Sequence, residues 1–544
     1  MPISGGLLAV VCGLLFLFPP AWADIRLTPY QSLSQALLYP GSRIALQKWN
    51  AFSRIDIIES QGIRSAPGLS MSYPGGPPPQ VGLTVDGQNL SPITTVPPSQ
   101  ADFADYLPPA LAYQLRPEAD VLVIEPGGGL AVLTALRGGA RSVTAVHSNP
   151  AVAAAVEKWG GDLYRDPRVS VEVDDPRSYL RRVDRRFDVV ITPLSDSFRP
   201  VTAGAYALGE EYRYTVEAFS ELYDHLEPDG LLVAERWLQL PPTESLRLWG
   251  IAVEALRRGG VEDPGAHLIA LRSFQTSLVI ASRRPFTPDE IHQVRDFAAA
   301  RQYDLVWTSA LGDVDGSALS LSQEELDTLG VNRYNVVSDA PYFRTFAGLL
   351  QASNPSAFYA DYAYAVAPPT DDHPFFFHFF KWGQTPEIIA ALGKTWQPFG
   401  GSGYLVLILL LALVVLLSAI LILLPLAIGH KSQIRESGNQ DIRISGGQGI
   451  SKTKFTVRYL LYFMLLGLGF LFVEIPLLQR FIVYLGQPAY AFATVVGALL
   501  VASGLGSRFL ADRIWPPLGL SILAVLVLAY PLLIPPLFQV TFGL

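Results

Sequence analysis

Asp120-Val-Leu-Val-Ile124-Glu-Pro-Gly-Gly-Gly129-Leu-Ala-Val-Leu-Thr-Ala-Leu-Arg137 is the stretch that decides how this chain is read. Val121–Ile124 is a short apolar, β-branched run of the kind buried on both faces of a parallel sheet. Three glycines then permit a tight turn, and from Leu130 the apolar spacing becomes helical. A strand that passes through a glycine turn into a helix opens a nucleotide-type α/β unit. Glycines there let a ligand approach the backbone beside a helix N-terminus. They serve equally as a tight turn with no ligand at all.

The same alternation runs on downstream. Strands Ser142–Val146, Val169–Val173, Phe187–Ile191 and Leu231–Ala234 alternate with helices over 150–159, 176–183, 214–226 and 243–257. This predicts a parallel sheet covered by helices on both faces. Two apolar runs, 267–271 and 277–281, flank a short polar turn and suit an antiparallel pair. Such a pair closing a parallel sheet is the expected end of an α/β, class I S-adenosylmethionine-dependent methyltransferase-like (Rossmann-type) domain. Upstream, residues 24–115 are rich in Pro, Gly and short β-type runs such as Val81-Gly-Leu-Thr-Val-Asp86-Gly87, and read as a small β-rich lead-in.

Half of the 544 residues are hydrophobic and 16% are charged, against about 25% in an average soluble chain. Membrane segments are therefore expected. Residues 404–428 are 25 residues without a charge, and about 20 suffice to span a bilayer. Three more candidate spans lie near 459–479, 484–506 and 516–540, giving an α-helical transmembrane bundle. Lys431, Arg435, Arg443, Lys452, Lys454 and Arg458, against Glu436 and Asp441, mark 430–458 as cytoplasmic. Counting back across the first span puts 24–400 on the extracytoplasmic side. Residues 6–19 are apolar and end near Ala21-x-Ala23, so 1–23 reads as a signal peptide or an uncleaved anchor. The expected organisation is thus a leader (1–23), a lead-in (24–115), an α/β domain (116–285), an extension and linker (286–400), and a four-helix membrane region (401–544). A net charge of -8 gives no footprint for nucleic acid. Cys12 is the single cysteine, which excludes a disulfide framework and a Cys-based zinc site.

Candidate site residues fall at the carboxyl ends of the predicted strands, where open α/β sheets hold their ligands. The first group is the turn itself, Glu125, Gly127, Gly128 and Gly129. An acid for ribose hydroxyls is expected about 20 residues on, and there the chain reads Val146-His147-Ser148-Asn149-Pro150. His147 and Asn149 offer hydrogen bonds to a ribose, or a polar cap for the helix from Pro150. Asp174 and Asp175 offer an acceptor for an adenine amino group, or a cap for the helix from Pro176. Asp196, in Thr192-Pro-Leu-Ser-Asp196-Ser197, is the candidate general base or amine-binding carboxylate. It reads equally as a solvated loop residue.

Residues 53–282 resemble the spermidine synthase family of aminopropyltransferases. The matching features are Leu83-Thr-Val-Asp86-Gly87-Gln88, Val121–Gly129, Val143-Thr-Ala-Val146 with Asn149-Pro150, and Asp166-Pro-Arg168-Val169. Asp175, Arg177, Phe187-Asp188-Val-Val190 and Leu226-Glu-Pro-Asp-Gly230-Leu231 match as well. The resemblance implies transfer of an aminopropyl group from decarboxylated S-adenosylmethionine to putrescine, with an Asp after the fourth strand deprotonating the amine. Of the family's two loop acids, the first falls on Pro193 and the second on Asp196. Its ribose-binding Glu falls on His147, and its lead-in acids are reduced to Asp102 and Asp105.

Thr370-Asp-Asp-His-Pro-Phe-Phe-Phe377 and Glu474-Ile-Pro-Leu-Leu-Gln-Arg480 resemble a group of bacterial proteins in which such a domain is fused to membrane helices. That implies a multi-pass protein of the bacterial inner membrane, with the lipid bilayer as its partner. Asp371, Asp372, His373 and His378 have the composition of a metal site, but no metal is assigned, because the adjoining aromatic run points to an interfacial anchor. Glu474 is expected to pair with a neighbouring helix. Gly467, Gly469, Gly504 and Gly506 suit close helix packing. Two functions remain open. One is a membrane-bound transferase using S-adenosylmethionine or its decarboxylated form on an amine, which the glycine turn, Asp175 and Asp196 favour. The other is a catalytically degenerate module that binds a polyamine or nucleoside, or serves assembly. The missing acids and the outward orientation favour that second reading, since the cofactor is made in the cytoplasm.

Overall fold

The computed structural model describes residues 27, 29, 31–50, 53–196, 209–312, 321–386, 403–423, 452–485 and 488–509, with scattered residues over 519–529. The leader 1–23, most of the basic segment 430–458 and most of the span 516–540 lie outside the described residues.

The lead-in forms a four-stranded antiparallel sheet in chain order: β1 (Arg43–Trp49), β2 (Arg54–Glu59), β3 (Gln80–Val85) and β4 (Gln88–Thr94). Asp86 and Gly87 close the β3–β4 hairpin with φ of 53° and 70°. Two positive values are what a type I′ turn demands, and Asp-Gly supplies them at little cost.

Eight strands build the main sheet: β5 (Asp120–Ile124), β6 (Ser142–His147), β7 (Val169–Val173), β8 (Phe187–Thr192), β9 (Leu226–Trp237), β10 (Leu268–Arg272), β11 (Thr276–Ser282) and β12 (Asp304–Trp307). Their spatial order is β12-β10-β11-β9-β8-β5-β6-β7. The five strands from β9 to β7 run parallel, while β11, β10 and β12 continue the edge in antiparallel pairs. This is the class I methyltransferase-like, Rossmann-type fold. Strand order reverses between β5 and β8, so the ligand crevice of such a sheet falls over their carboxyl ends.

The helices Leu130–Arg137 and Pro150–Trp159 have the bounds that apolar periodicity predicts. The helix expected over 214–226 is shorter, Val216–Asp224, because the Thr215 side chain accepts from the Ala218 N–H and caps it. β9 is longer than the predicted 231–234, because β11 pairs along it as far as Trp237 opposite Thr276. That extension carries Glu235 and Arg236 into the sheet.

The segment set apart as an extension and linker joins the same core. Helix Pro288–Ala300 starts from a Thr287/Glu290 capping box and leads to β12, and Phe286, Val294, Phe297, Leu305 and Phe346 are buried with the sheet. The lead-in is tied to it over long sequence distances. The Tyr303 hydroxyl donates to the carbonyls of Gly68 (3.0 Å) and Tyr106 (2.5 Å), and Ser70 Oγ donates to the Arg301 carbonyl (2.5 Å).

The aromatic run at 375–380 corrects an expectation. Phe376, Phe379 and Phe380 are buried in protein rather than arrayed as an interfacial anchor. Arg247 organises the segment, its guanidinium donating to the carbonyls of Ala365, Phe375, Phe376 and His378. Burial pushes Arg247 down to about 9. Asp371 accepts from Arg177 Nη1 (2.8 Å) and Thr215 Oγ1 (2.7 Å), and no group of three His, Asp or Glu suited to a metal occurs among the described residues. Arg247→Met should therefore leave four carbonyls without their donor and cost about 2–4 kcal/mol. Faster amide exchange confined at first to 365–378 is the expected signature.

Two helices, Lys452–Leu485 and Pro488–Phe509, contain stretches long and apolar enough to cross a membrane, Met464–Ile482 and Tyr490–Phe509. They match the spans expected near 459–479 and 484–506. Helix Gly403–Ser418, within the first predicted span, is apolar throughout. Gly467, Gly469, Gly504 and Gly506 do not mediate close packing among the described residues, since a Cβ added at any of them would meet nothing within 4 Å. The expected partner of Glu474 is likewise absent among the described residues.

Candidate ligand-binding crevice

The turn after β5 is built on the left-handed backbone that glycine favours. Gly127 and Gly129 have φ of 58° and 89°, and Glu125 itself stands at 51°. Gly128 is needed for a different reason. A Cβ there would lie 2.3 Å from the Pro92 carbonyl oxygen and 3.1 Å from that of Ser91. The Gly128 N–H donates to Ser91 Oγ at 2.8 Å. The space left by this glycine is thus filled by β4 of the lead-in.

The remaining nucleoside-side candidates are largely committed to the fold. His147 is fully buried at the end of β6, and its Nε2 lies 2.6 Å from the Tyr164 hydroxyl. Burial pushes His147 down to about 4, so its ring is neutral at physiological pH. Asn149 caps the next helix through the Ala151 N–H (3.0 Å), while its Nδ2 donates to Ser53 Oγ (2.8 Å). Asp174 accepts from the Asp175 N–H and pairs with Arg182. Asp175 accepts from the Ser178 N–H at 2.9 Å, capping the helix from Pro176. Asp102 and Asp105 both pair with Arg137 at 2.9 Å.

Two cavities meet over the carboxyl ends of β5 and β8. One, of about 140 Å³, is lined by Ser91, Glu125, Gly127, Glu211 and Arg213 among others. The other, of about 280 Å³, is lined by Gln35, Tyr39, Pro92 and Trp237 among others. Ser91, Ser195 and Asp196 line both. The crevice therefore unites Glu125, Gly127 and Asp196 from the predicted set. It leaves out Gly128, Gly129, His147, Asn149, Asp174 and Asp175.

Most of its charged groups are engaged within the protein, with Arg236 shared between two carboxylates. Arg236 grips Asp196 with two parallel hydrogen bonds, Nη1 to Oδ1 (3.0 Å) and Nη2 to Oδ2 (2.8 Å). Arg236 also donates to Glu244 through Nε (2.9 Å) and Nη2 (2.5 Å), and to the Tyr214 hydroxyl (3.2 Å). Its guanidinium lies 5.0, 5.3 and 5.4 Å from the ring centres of Tyr214, Phe376 and Phe377, with its side chain 1% exposed. Arg213 binds both oxygens of Glu211 at 2.6 and 2.8 Å. Burial works to raise the Glu211 carboxyl, but Arg213 outweighs it and holds the group below its ordinary value. Glu125 accepts from the Ser148 N–H (2.8 Å), yet burial keeps its carboxyl above the usual range. Glu235 sits below the β8 loop, accepts from the Leu194 N–H, and is pushed by burial up to about 8.

Sequence reasoning missed Ser91, Glu211, Arg213, Glu235, Arg236 and Glu244. A signal for two of them was present. Glu235 and Arg236 follow Leu-Leu-Val-Ala234, and charged residues at the carboxyl end of a buried parallel strand belong to the ligand side. Glu211 and Arg213 follow no motif, and Ser91 depends on a strand docking from far along the chain.

No family model matches the chain. Among solved structures it is similar to a spermidine synthase from Thermotoga maritima, at 18% identity over 55% of this chain and 87% of that one, with a TM-score of 0.33. The same figures hold for a spermidine synthase in complex with the transition-state analogue AdoDATO. A probable spermidine synthase from Corynebacterium glutamicum is 16% identical over 51% of this chain and 95% of that one, with a TM-score of 0.35.

Proposed function

We propose that this chain is a membrane-anchored, spermidine synthase-like binding module whose crevice holds a small polar ligand without catalysing aminopropyl transfer. One observation carries the reading: both oxygens of Asp196 are engaged by a buried, immobilised arginine. A general base must turn a lone pair toward the proton it removes. A bidentate guanidinium takes up one lone pair on each oxygen and holds the carboxylate turned toward Arg236. Pro193 supplies no second acid.

The adenosyl donors fit poorly as well. S-adenosylmethionine or its decarboxylated form needs acceptors for its ribose and adenine, and here His147 is sealed in the core while Asn149 and Asp175 cap helices. The full chain in detergent, given decarboxylated S-adenosylmethionine and putrescine, is expected to show no methylthioadenosine release.

A second reading, that of a transferase, is favoured by the two cavities meeting at Ser195 and Asp196, as donor and acceptor sites would. If turnover is found, Asp196→Asn should lower it about 10²–10⁴-fold. A variant with unchanged turnover would exclude Asp196 from the chemistry.

The sidedness follows from the basic segment 430–458, with residues 24–400 facing away from the cytoplasm of a bacterial inner membrane. A reporter that works only outside the cytoplasm should be active when fused after Gly400 and silent when inserted near Gly446. The opposite pattern would reverse the topology.

A further inference from the structure

Three consecutive residues of β9 hold the loop that follows β8. Glu235 accepts from the Leu194 N–H, Arg236 grips the Asp196 carboxylate at 3.0 and 2.8 Å, and Trp237 Nε1 donates to the Asp196 carbonyl at 2.9 Å. Of these three, Glu235 is the one that exchanges a proton near neutral pH. Its side chain lines a cavity of about 20 Å³, room for a single water, together with Pro193, Leu194, Thr134 and apolar neighbours. Pro67, Leu130 and Leu194 line both this cavity and the one of about 280 Å³ in the crevice. The loop is thus the partition between Glu235 and the crevice.

Few groups face that carboxyl. Tyr113, from helix Ala110–Leu115, has a buried hydroxyl with no hydrogen-bond partner among the described residues, and Tyr303 commits its hydroxyl to Gly68 and Tyr106. The charge of Glu235 works to raise both phenols. The Thr134 hydroxyl donates within its own helix to the Leu130 carbonyl, and Leu278 is the neighbour across β11. Arg236, with Asp196 and Glu244, lies on the opposite face of the strand, since side chains alternate. Burial and one N–H donor are therefore what act on Glu235, and burial outweighs the donor. With the loop closed the carboxyl keeps its proton up to about 8, whereas in water it releases it near 4.5.

We propose that Glu235 is a proton-operated latch on the crevice, holding residues 193–195 shut in its neutral form and favouring their opening in its ionised form. A carboxylate behind the closed loop has one N–H and no cation, too little to offset its lost hydration. Lifting Pro193 and Leu194 relieves this, because water then reaches the carboxyl from the crevice. Arg236 and Trp237 keep their hold on Asp196, which serves as the hinge. Opening is accordingly favoured about tenfold per pH unit between about 4.5 and 8, and levels off above that. Ser195 lines both crevice cavities and moves with the loop. The latch therefore regulates the crevice, and in that respect it rests on the reading of the crevice as a binding site.

The test needs no ligand. The full chain in detergent is labelled by hydrogen–deuterium exchange from pH 5 to pH 8, with labelling times scaled to the intrinsic amide rate at each pH, and read by mass spectrometry. Protection of peptides containing Leu194 and Ser195, relative to peptides from β5, should fall about tenfold per pH unit in wild type. It should stay level in Glu235→Gln, which keeps the acceptor for Leu194 and has no proton to lose. Level protection of the loop in wild type would overturn the latch without recourse to any variant. So would a fall of equal size in Glu235→Gln, or one shared by β5, which would mark general unfolding. A crevice that binds no ligand would leave this profile as it is, so the latch and the binding-site reading fail separately.

Discussion

Gly128→Val is expected to prevent the lead-in sheet from docking on the main sheet even when no ligand is present. The new side chain would begin 2.3 Å from the Pro92 carbonyl oxygen, and that neighbour is backbone in a paired strand rather than a side chain that can rotate away. Overpacking against mobile side chains costs about 1–3 kcal/mol, and a rigid backbone raises this to about 4 kcal/mol or more. Glycine-turn chemistry alone predicts something else: a valine that occupies ligand space, blocks binding and spares the fold. Thermal unfolding of ligand-free protein separates the two. A variant that melts with wild type but fails to bind would restore the ligand explanation.

Glu235→Gln should stabilise the protein at neutral and mildly alkaline pH. The carboxyl ordinarily ionises near 4.5 and in the folded chain only near 8, because burial penalises its charge. Below about pH 4.5 it is neutral whether the chain is folded or unfolded. Between 4.5 and 8 only the unfolded chain gains by ionising, so this group's contribution declines as pH rises through that window. At about 1.4 kcal/mol per pH unit the whole loss is on the order of 4–5 kcal/mol. Glutamine keeps the carbonyl that accepts from Leu194 and has no proton to lose. The difference in melting temperature between variant and wild type should grow from pH 5 to pH 8. Parallel pH profiles would show that Glu235 does not titrate in this range.

The main sheet was legible because each parallel strand is short, apolar and followed by a helix of regular period. Val121–Ile124 with Leu130–Arg137 needs no tertiary information to be recognised. The misreadings share a cause. Phe375–Phe380 looks like a membrane belt in one dimension, and becomes core only because Arg247, far upstream, collects the carbonyls around it. Gly128 looks like a ligand contact, and becomes a strand contact because Pro92 approaches it. Asp196 was placed on the correct loop, but its partner Arg236 lies on a strand whose end was set three residues short. Asn149 and Asp175 were legible in both roles, and the fold uses the capping one. Local pattern fixes elements, whereas the chemistry of a site depends on which side chains meet from distant strands.

The bonds that Tyr303 makes to Gly68 and Tyr106 also set a schedule for biosynthesis. Gly68 and Tyr303 are separated by 235 positions in the chain. At about 5–20 residues per second, a ribosome needs on the order of 10–50 s to travel from one to the other. Throughout that interval the nascent lead-in sheet lacks its docking partner, and β1, exposed along an edge, is open to pairing with another chain. Chains released before residue 303 should therefore depend on a holding chaperone and be cut first within the lead-in. Those released just beyond it should become protease-resistant at both ends together.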